Sequence, residues 1–502
     1  MADQEGERPK SDRMKRFELL YNPMSLIGLA FCGFGLGMII IFTAIDYMTG
    51  GGTPYMGVIT LMVLPPFFAF GLILVPIGVV RYQRRLHKSG TKPKPHLTLD
   101  LNLPRHRGYV ILFVFLTFVT ICVIGTLSYE GYHYTESVEF CGSCHSVMDP
   151  QSITHQNSPH ARVSCATCHV GAGAGWYVKS KLSGLYQVYS VMAKKYPKPI
   201  PTPIHNLRPA RDICEECHWP DFFIDNKMMT ENYFLPDDDN TPGAITLMMI
   251  IGGQPEFGVP SGIHWHIANE VSYIATDEEK DEIPWVQVKR GAETKVYQSS
   301  DSPLTEEQIN TLPRHVMDCM DCHNRPAHIF GSPGELMNQL LFTKKVDPDL
   351  PRIRQVGAEA LAGEYESTLD AEEGIGRAIT EAYEDDEDVL AEYKQEIHNA
   401  IEIIREVYKE NFFPFMKTRW DSHSINIGHK NSPGCFRCHD DNHETEAGDT
   451  IKRDCNQCHI IVAQGEQGGD IMYNPRGLEF EHPEDIDEEW KEENCNECHT
   501  GE

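Results

Sequence analysis

The segment Cys141-Gly-Ser-Cys144-His145 carries the pattern that decides the fold, because six further copies of Cys-x-x-Cys-His follow it in the 502 residues. The copies comprise Cys141, Cys144 and His145; Cys165, Cys168 and His169; Cys214, Cys217 and His218; Cys319, Cys322 and His323; Cys435, Cys438 and His439; Cys455, Cys458 and His459; and Cys495, Cys498 and His499. In each copy, two thiols can bond to the two vinyl groups of one haem, and the adjacent histidine can bind the iron. The pattern predicts seven covalently bound haem c groups.

Paired cysteines also occur in structural zinc sites and in thiol–disulfide redox pairs. Neither use requires a histidine directly after every second cysteine, and seven redox pairs in one chain would be unusual. Of the 16 cysteines, only Cys32 and Cys122 lie outside the copies, and we interpret both as small apolar side chains. The formal net charge of −29 argues against nucleic acid as a partner and favours a soluble surface that meets basic partners.

Three apolar stretches precede the first copy of the motif: Met24 to Ile45, Tyr55 to Val80, and Gly108 to Tyr129. Each is long enough to cross a hydrocarbon core of about 30 Å. Gly28, Gly33, Gly35 and Gly37 predict close helix approach, and Pro65-Pro66 predicts a kink in the second stretch.

The basic residues predict the orientation of these helices. They are concentrated before Met24 and between Arg81 and Arg107, whereas the loop from Asp46 to Pro54 has none. The positive-inside rule therefore predicts a cytoplasmic N-terminus and a third helix that ends outside the cytoplasm. Covalent haem attachment, which takes place on the oxidising side of a membrane, predicts the same side for the residues after the third helix. We expect a bacterial inner-membrane protein with a periplasmic haem domain.

The expected fold is a three-helix transmembrane anchor followed by a multihaem cytochrome c domain. That domain is expected to be mainly helical and irregular, packed on its haems, with a small insertion that contains strands such as Ile283 to Val288 and Thr294 to Tyr297. The predicted divisions are a cytoplasmic tail (1–23), three transmembrane helices (24–129), a three-haem module (130–219), a haem-free insertion (220–318), a fourth haem with an acidic helical segment (319–430) and a C-terminal three-haem module (431–502). Ile375, Ile379, Leu390 and Ile397 are the expected buried residues of the helical segment.

Several sequence blocks resemble known membrane cytochromes. Phe140 to Pro150, Ser158 to Cys165 and Cys168 to Gly171 resemble the NapC/NirT family of membrane-anchored multihaem quinol dehydrogenases. Blocks such as Gly262-Ile-His-Trp-His266 and Cys322-His-Asn-Arg-Pro-Ala-His328 are similar to ImcH-type seven-haem inner-membrane cytochromes. The resemblance implies oxidation of a membrane quinol at the first haem and electron transfer along the remaining haems.

The resemblance to the family also has two exceptions. Smaller NapC/NirT members carry one helix before their haems, whereas this chain has three apolar stretches. They also place methionine closer to the first motif histidine than Met148 lies to His145. Met148 can therefore either bind the first iron or pack against the haem.

Seven haems need up to seven sixth ligands, and 13 histidines outside the motifs follow the third apolar stretch. Two imidazoles per iron give lower potentials than histidine with methionine, which suits electrons from menaquinol. The candidate sixth ligands are Met148, His155, His160, His264, His266, His315, His328, His429, His443 and His482.

The resemblance also implies a quinol-binding lysine. Lys181 follows His169 by 12 residues, where the family carries a lysine near the quinol ring. Its ammonium can hold a quinol oxygen and assist deprotonation. The alternative is that Lys181, like its neighbour Lys179, is a basic residue that only extends to the membrane surface.

The function expected from these features is oxidation of a membrane quinol, such as menaquinol, with transfer of electrons to periplasmic c-type cytochromes or a reductase during anaerobic respiration. A quinone-reducing enzyme and a wire subunit of a larger complex remain alternatives with the same fold. A terminal reductase of the nitrite or hydroxylamine type is a different class. Such enzymes need one five-coordinate haem, whereas all seven motifs here end in histidine and spare histidines are present.

Overall fold

A computed structural model describes residues 20, 22–48, 60, 64–88, 102–144, 146–170, 174–204, 207–219, 225–252, 262–499 and 501. The chain divides into two compact units, residues 1–143 and 144–502, so the boundary falls inside the first Cys-x-x-Cys-His motif. Most of the predicted cytoplasmic tail and the motif histidine His145 lie outside the described residues.

The first unit consists of helices α1 (Pro23–Met48), α2 (Leu64–Lys88), α3 (Pro104–Thr135) and α4 (Val138–Gly142). Two segments, Pro23–Ala44 and Leu64–Arg85, are long and apolar enough to cross a membrane. The third predicted stretch lies within α3, a continuous helix of 32 residues. Helices with exposed apolar side chains, such as Ile40 and Ile73, suit a bilayer as their surroundings.

Close packing joins α1 to α2 at Gly28 and Gly35, as the sequence predicts, whereas a Cβ atom added at Gly33 or Gly37 would meet no described atom within 4 Å. A Cβ atom added at Gly28 would lie 2.9 Å from the carbonyl oxygen of Gly71, so only glycine permits this separation. The Ser25 hydroxyl donates to the carbonyl of Val75 at 2.9 Å. Pro65 and Pro66 lie in the first turn of α2, where a missing N–H leaves no helical bond unmade. The predicted kink stays a prediction, because residues 61–63 lie outside the described residues.

The second unit begins with four helices around the second and third motifs. They are α5 (Asp149–Gln156), α6 (Cys165–His169), α7 (Ala174–Met192) and α8 (Ala210–Cys214). Ser164 caps α6, since its side chain accepts a hydrogen bond from the backbone N–H of Thr167.

Two antiparallel sheets follow. Their strands are β1 (Asp225–Phe234), β2 (Pro242–Gly252), β3 (Glu270–Ile274), β4 (Trp285–Arg290), β5 (Glu293–Ser299), β6 (His315–Val316), β7 (His443–Glu444), β8 (His459–Glu466) and β9 (Met472–Leu478). One sheet has the order β1-β2-β8-β9 and the other β6-β3-β4-β5-β7. The strands predicted at Ile283 to Val288 and Thr294 to Tyr297 correspond to β4 and β5. The haem-free insertion does not form sheets by itself, because β7, β8 and β9 come from the C-terminal module.

Helices supply the largest apolar core. Short helices α9 (Trp265–Ala268), α10 (Glu306–Thr311) and α11 (Cys319–Cys322) precede it, and α12 (Pro333–Phe342), α13 (Ile353–Ala362), α14 (Thr368–Glu384), α15 (Glu387–Glu392) and α16 (Lys394–Asn411) form it. Ile375 and Ile379 are fully buried and Ile397 is buried, as predicted, whereas Leu390 is only partly buried. The last helix, α17 (Cys495–Cys498), is a single turn.

Candidate haem-binding sites and electron entry

Each described motif folds as a single tight turn. The second, fourth and seventh form α6, α11 and α17, and the fifth and sixth contain 3-10 turns at Gly434–Arg437 and Cys455–Gln457. In the fourth motif, the N–H of His323 donates to the carbonyl of Cys319 at 2.8 Å, and the seventh repeats this bond between His499 and Cys495. The turn brings both sulfur atoms and the following histidine to one side of the backbone, which is the arrangement that a covalently attached haem requires.

The motif cysteines form no disulfide bonds in the described part of the chain. Nor do those residues contain a group of three or more His, Cys, Asp or Glu side chains arranged to bind a metal ion by themselves. The cysteine pairs therefore do not converge as the ligands of a structural zinc site would.

Motif histidines face other histidines at a recurring separation. An imidazole centre lies roughly 3 Å from a metal ion bound to its nitrogen, so two rings on opposite sides of one metal are about 6 Å apart. The distances between ring centres are 6.4 Å for His169–His328, 6.1 Å for His160–His218, 5.8 Å for His266–His439, 6.2 Å for His429–His459 and 6.1 Å for His482–His499. These side chains fit a haem iron held between two imidazoles.

Hydrogen bonds orient many of the paired rings. Each of these rings has its Nδ1 atom beside a backbone carbonyl, which can only accept, so Nδ1 carries the proton and Nε2 keeps its lone pair. The separations are 3.0 Å from His160 to Pro326, 3.0 Å from His328 to Gln151, 2.7 Å from His266 to Ile263, 3.1 Å from His439 to Lys452 and 2.9 Å from His482 to Glu484. The lone pair on Nε2 is the atom that an iron ion would bind.

Burial keeps these groups neutral. Burial lowers the pKa of His328 to about 4, and the charge that His169 can carry contributes in the same direction. Burial likewise lowers the pKa of His429 to about 4, with a further contribution from His459. Burial also raises the pKa of the Cys322 thiol to about 11. The neutral imidazole is the form of histidine that binds metals.

The other candidate ligands lie in different surroundings. Both ring nitrogens of buried His443 are engaged, with Nδ1 2.8 Å from Asp440 and Nε2 2.7 Å from the carbonyl of Ile283. His315 stacks on Tyr273 with ring centres 5.3 Å apart. His155 is buried, its ring centre is 6.3 Å from that of His328, and its Nε2 is 2.9 Å from the carbonyl of Val163. Met148 lies just before α5, beyond His145, which is outside the described residues.

A buried polar network joins the fourth motif to the fifth, and sequence reasoning missed it. Asp321, between the two cysteines of the fourth motif, accepts a hydrogen bond from the fully buried Tyr273 hydroxyl and lies 3.2 Å from the ammonium of Lys280. Arg437, between the cysteines of the fifth motif, donates at 2.8 Å both to the carbonyl of Asp321 and to that of Lys280. The sequence signal that could have indicated this network is the pair of opposite charges, Asp321 and Arg437, each directly before the second cysteine of its motif.

Other contacts bring further consecutive motifs together. Burial and the neighbouring Cys319 thiol of the fourth motif raise the pKa of Cys214 in the third motif to about 11. Arg453 lies just before the sixth motif, donates to the carbonyl of Glu493 at 2.8 Å just before the seventh, and has its guanidinium 4.6 Å from the ring centre of Phe436 in the fifth. Neighbours in sequence are therefore neighbours in space from the third motif to the seventh.

Lys181 lies on α7, a 19-residue helix with an apolar exposed face. Side chains three or four positions apart share a helix face. Among the described side chains of α7, those from residue 179 onward, the exposed apolar ones are Leu182, Leu185, Tyr186, Tyr189 and Met192. Lys181 is half-buried and precedes Leu185 by one helical turn. The arrangement places an ammonium beside a surface suited to the membrane interface.

Comparison with known proteins gives a consistent family. Residues 104–200 match the NapC/NirT cytochrome c family, N-terminal region. The cytochrome c-type protein ImcH of Geobacter sulfurreducens is 42% identical over 485 residues, which is 96% of this chain and 95% of that protein.

Two shorter similarities agree with this result. The cytochrome c nitrite reductase subunit NrfH of Nitratidesulfovibrio vulgaris is 49% identical over 39 residues, 8% of this chain and 24% of that protein. The cytochrome c-type protein TorC of Escherichia coli is 33% identical over 95 residues, 18% of this chain and 24% of that protein. No solved structure matches the chain.

Proposed function

Because the chain belongs to the ImcH-like, NapC/NirT-related family of membrane-anchored c-type cytochromes, we propose that it oxidises a membrane quinol and delivers the electrons to a periplasmic acceptor. Seven haem c groups, one for each motif, supply the one-electron carriers. The observation that carries quinol oxidation is the exposed apolar face of α7 beside Lys181, within the residues that match the family model.

The ring pairs provide the axial ligands in this proposal. His328 serves the haem of the second motif, His160 that of the third, His429 that of the sixth and His482 that of the seventh, because each lies about one metal-bridged distance from the motif histidine. His443 has a structural role instead, since both of its ring nitrogens already have partners. Met148 remains our proposed candidate for the first haem.

Cross-ligation interlocks the motifs. His328 follows the fourth motif but serves the second, and His160 precedes the second but serves the third. Each of these ligands therefore ties the haem of one motif to the backbone of another. From the third motif onward, electrons would pass in sequence order, because these successive motifs contact one another.

Quinol binds beside α7 in the proposal. The Lys181 ammonium holds one quinol oxygen and lowers the cost of its deprotonation, while Leu182, Leu185 and the neighbouring tyrosines contact the apolar ring and tail. Menaquinol is the expected substrate, since bis-histidine haems have the low potentials that accept its electrons.

The test is quinol oxidation by purified protein in lipid nanodiscs, measured as haem reduction after addition of a menaquinol analogue. Lys181→Gln should slow this reduction at least tenfold, because a general acid–base group contributes about 100-fold or more. Lys179→Gln, two residues earlier on α7, is the matched control and should reduce its haems at the wild-type rate. Haem content must stay unchanged in both variants. A Lys181→Gln protein that oxidises quinol as fast as the control would contradict the proposed site.

The proposed topology has three spans, a cytoplasmic N-terminus and a periplasmic haem domain. It is supported by the basic residues before α1 and after α2, by their absence from the loop between these helices, and by the continuous helix α3. Of two reporters fused near Lys92, the one that is active only in the cytoplasm should show activity and the one that is active only in the periplasm should not. Activity of a periplasmic reporter at that position would overturn the orientation.

A terminal reductase is the alternative function. It needs an open iron position for its substrate, whereas five of the six described motif histidines face a second imidazole, namely His169, His218, His439, His459 and His499. Nitrite turnover by the purified, reduced protein would favour this alternative over quinol oxidation.

A further inference from the structure

The turn that carries His264, Trp265 and His266 is fixed on the end of strand β2. The backbone N–H of Ile263 donates to the carbonyl of Ile250 at 2.8 Å, and that of His264 donates to the carbonyl of Ile251 at 2.9 Å. Gly262 starts the turn with a φ of +84°, which a side chain would strain. The turn continues into α9 and then β3, so both histidines occupy rigidly held backbone.

His266 faces the fifth motif. Its ring centre is 5.8 Å from that of His439, and the Nδ1 atoms of both rings lie beside backbone carbonyls. Both Nε2 lone pairs are therefore available for one metal ion between the rings.

His264 is associated with the fourth motif. The backbone N–H of Met317, two residues before Cys319, donates to the carbonyl of Val271 at 2.8 Å, on the strand β3 that follows the turn. The fourth and fifth motifs also touch directly, because Arg437 donates to the carbonyl of Asp321 at 2.8 Å. Two ligands that are two residues apart can reach two haems only if the haems are adjacent, and this contact places the two attachment loops side by side.

Trp265, between the two histidines in sequence, lies against His266. Its ring centre lies 5.7 Å from that of His266, and it packs against the buried cluster that includes Val271 and Tyr273 and that Cys438 of the fifth motif also contacts. The tripeptide and the attachment loop of one of the two haems that it would ligate thus share one apolar cluster.

We propose that His264 and His266 are the sixth ligands of the haems at Cys319/Cys322 and Cys435/Cys438, and that this tripeptide is the junction through which electrons cross from the N-terminal to the C-terminal haems. The inference rests on the covalent haem attachment in the proposed function. It gives the haem-free insertion a role: its β2–β3 connection holds two haems at one fixed separation.

The experiment compares the full-length purified proteins with His264→Met, His266→Met and, as a matched control, His398→Met, which alters an exposed histidine of α16. Near-infrared magnetic circular dichroism and redox titration of chemically reduced protein report the ligands and need no quinol. Each of the first two variants should convert one haem from bis-histidine to histidine–methionine ligation and raise its midpoint potential, because methionine as an axial ligand raises the potential. The control should match the wild type.

Removing one haem at a time identifies the haem that is converted. In a protein with Cys435→Ser and Cys438→Ser, His266→Met should produce no conversion, while His264→Met still should. With Cys319→Ser and Cys322→Ser, the outcomes should be reversed. An unchanged spectrum in either single variant, or a His266→Met conversion that persists without the fifth haem, would overturn the inference.

A second variant guards against misfolding. His266→Gly should yield one high-spin haem that returns to low spin when imidazole is added, whereas loss of a merely structural side chain would not create an imidazole-binding iron. A His266→Gly protein without a high-spin haem would also overturn the inference. Failure of the quinol assay with intact ligand spectra would count against the proposed quinol site alone.

Discussion

Two regions of the second unit build their interiors in different ways. The helical core segment, residues 333–412, buries nearly all members of the largest apolar cluster, and Ile353, Ile379 and Ile404 among them have no exposed surface. The C-terminal motif region, residues 431–501, has three haem motifs, yet Ile461 and Val462 of β8 are its only buried apolar side chains in the described chain. One region is stabilised by side-chain packing, and we propose that the other uses its haems as the apolar interior.

The largest expected effect follows from removing a haem from the C-terminal motif region. In Cys455→Ser/Cys458→Ser, intact mass under denaturing conditions should fall by one haem from the seven predicted. Backbone hydrogen exchange within residues 431–501 should accelerate by about 100-fold or more. Without the haem, local opening of this region no longer has to break the packing of side chains against the cofactor, so its free-energy cost falls. Exchange within residues 333–412 should not change.

Cys32→Ser is the control, since Cys32 lies in α1 outside the motifs and should leave the mass of bound haem unaltered. If the double variant keeps wild-type exchange throughout residues 431–501, the proposed difference between the two regions is wrong.

A core substitution in the helical core segment should destabilise that segment and leave haem binding unchanged. Ile379 on α14 is fully buried, so Ile379→Ala should lower the local free energy of unfolding by about 2–5 kcal/mol. Hydrogen exchange of α13, α14 and α16 measures this loss, and haem content should stay at the wild-type value. Leu369→Ala on the same helix is the control, because Leu369 is 74% exposed and its loss should cost about 0.5 kcal/mol or less. Equal losses in both variants would argue against a side-chain core here.

The same contrast explains what the sequence predicts. Helical periodicity identified Ile375, Ile379 and Ile397 as buried residues, since a helix brings positions three and four apart onto one face. The haem motifs were equally clear, because attachment chemistry depends on five consecutive residues. Strands β4 and β5 were predicted from their β-branched and aromatic residues.

Long-range pairing was the part that the sequence did not predict. Strand β8 pairs with β2, with Met249 opposite His459, and no local pattern identifies a partner so far along the chain. The histidine pairs have the same difficulty. Many candidates could be named, but which ring faces which motif depends on tertiary contacts such as the bond from His328 to the carbonyl of Gln151.

The smallest expected effect isolates one hydrogen bond in the helical core segment. The Tyr383 side chain is fully buried, and its hydroxyl donates to the carbonyl of Pro351 at 2.6 Å. Tyr383→Phe keeps the ring, including its contact with the guanidinium of Arg352 at 5.8 Å, and removes only the donor. The cost should be about 1 kcal/mol, the usual net contribution of a neutral hydrogen bond.

Exchange of α13 and α14 should report this small loss, with residues 431–501 unaffected. Tyr365→Phe is the matched control, because the Tyr365 hydroxyl donates to the carbonyl of Ala360 at 2.8 Å from a half-buried position where water can replace the lost partner. It should therefore cost less than Tyr383→Phe. A change in haem spectra or in exchange of the C-terminal motif region would mean that the two regions share one interior, and the contrast between them would have to be abandoned.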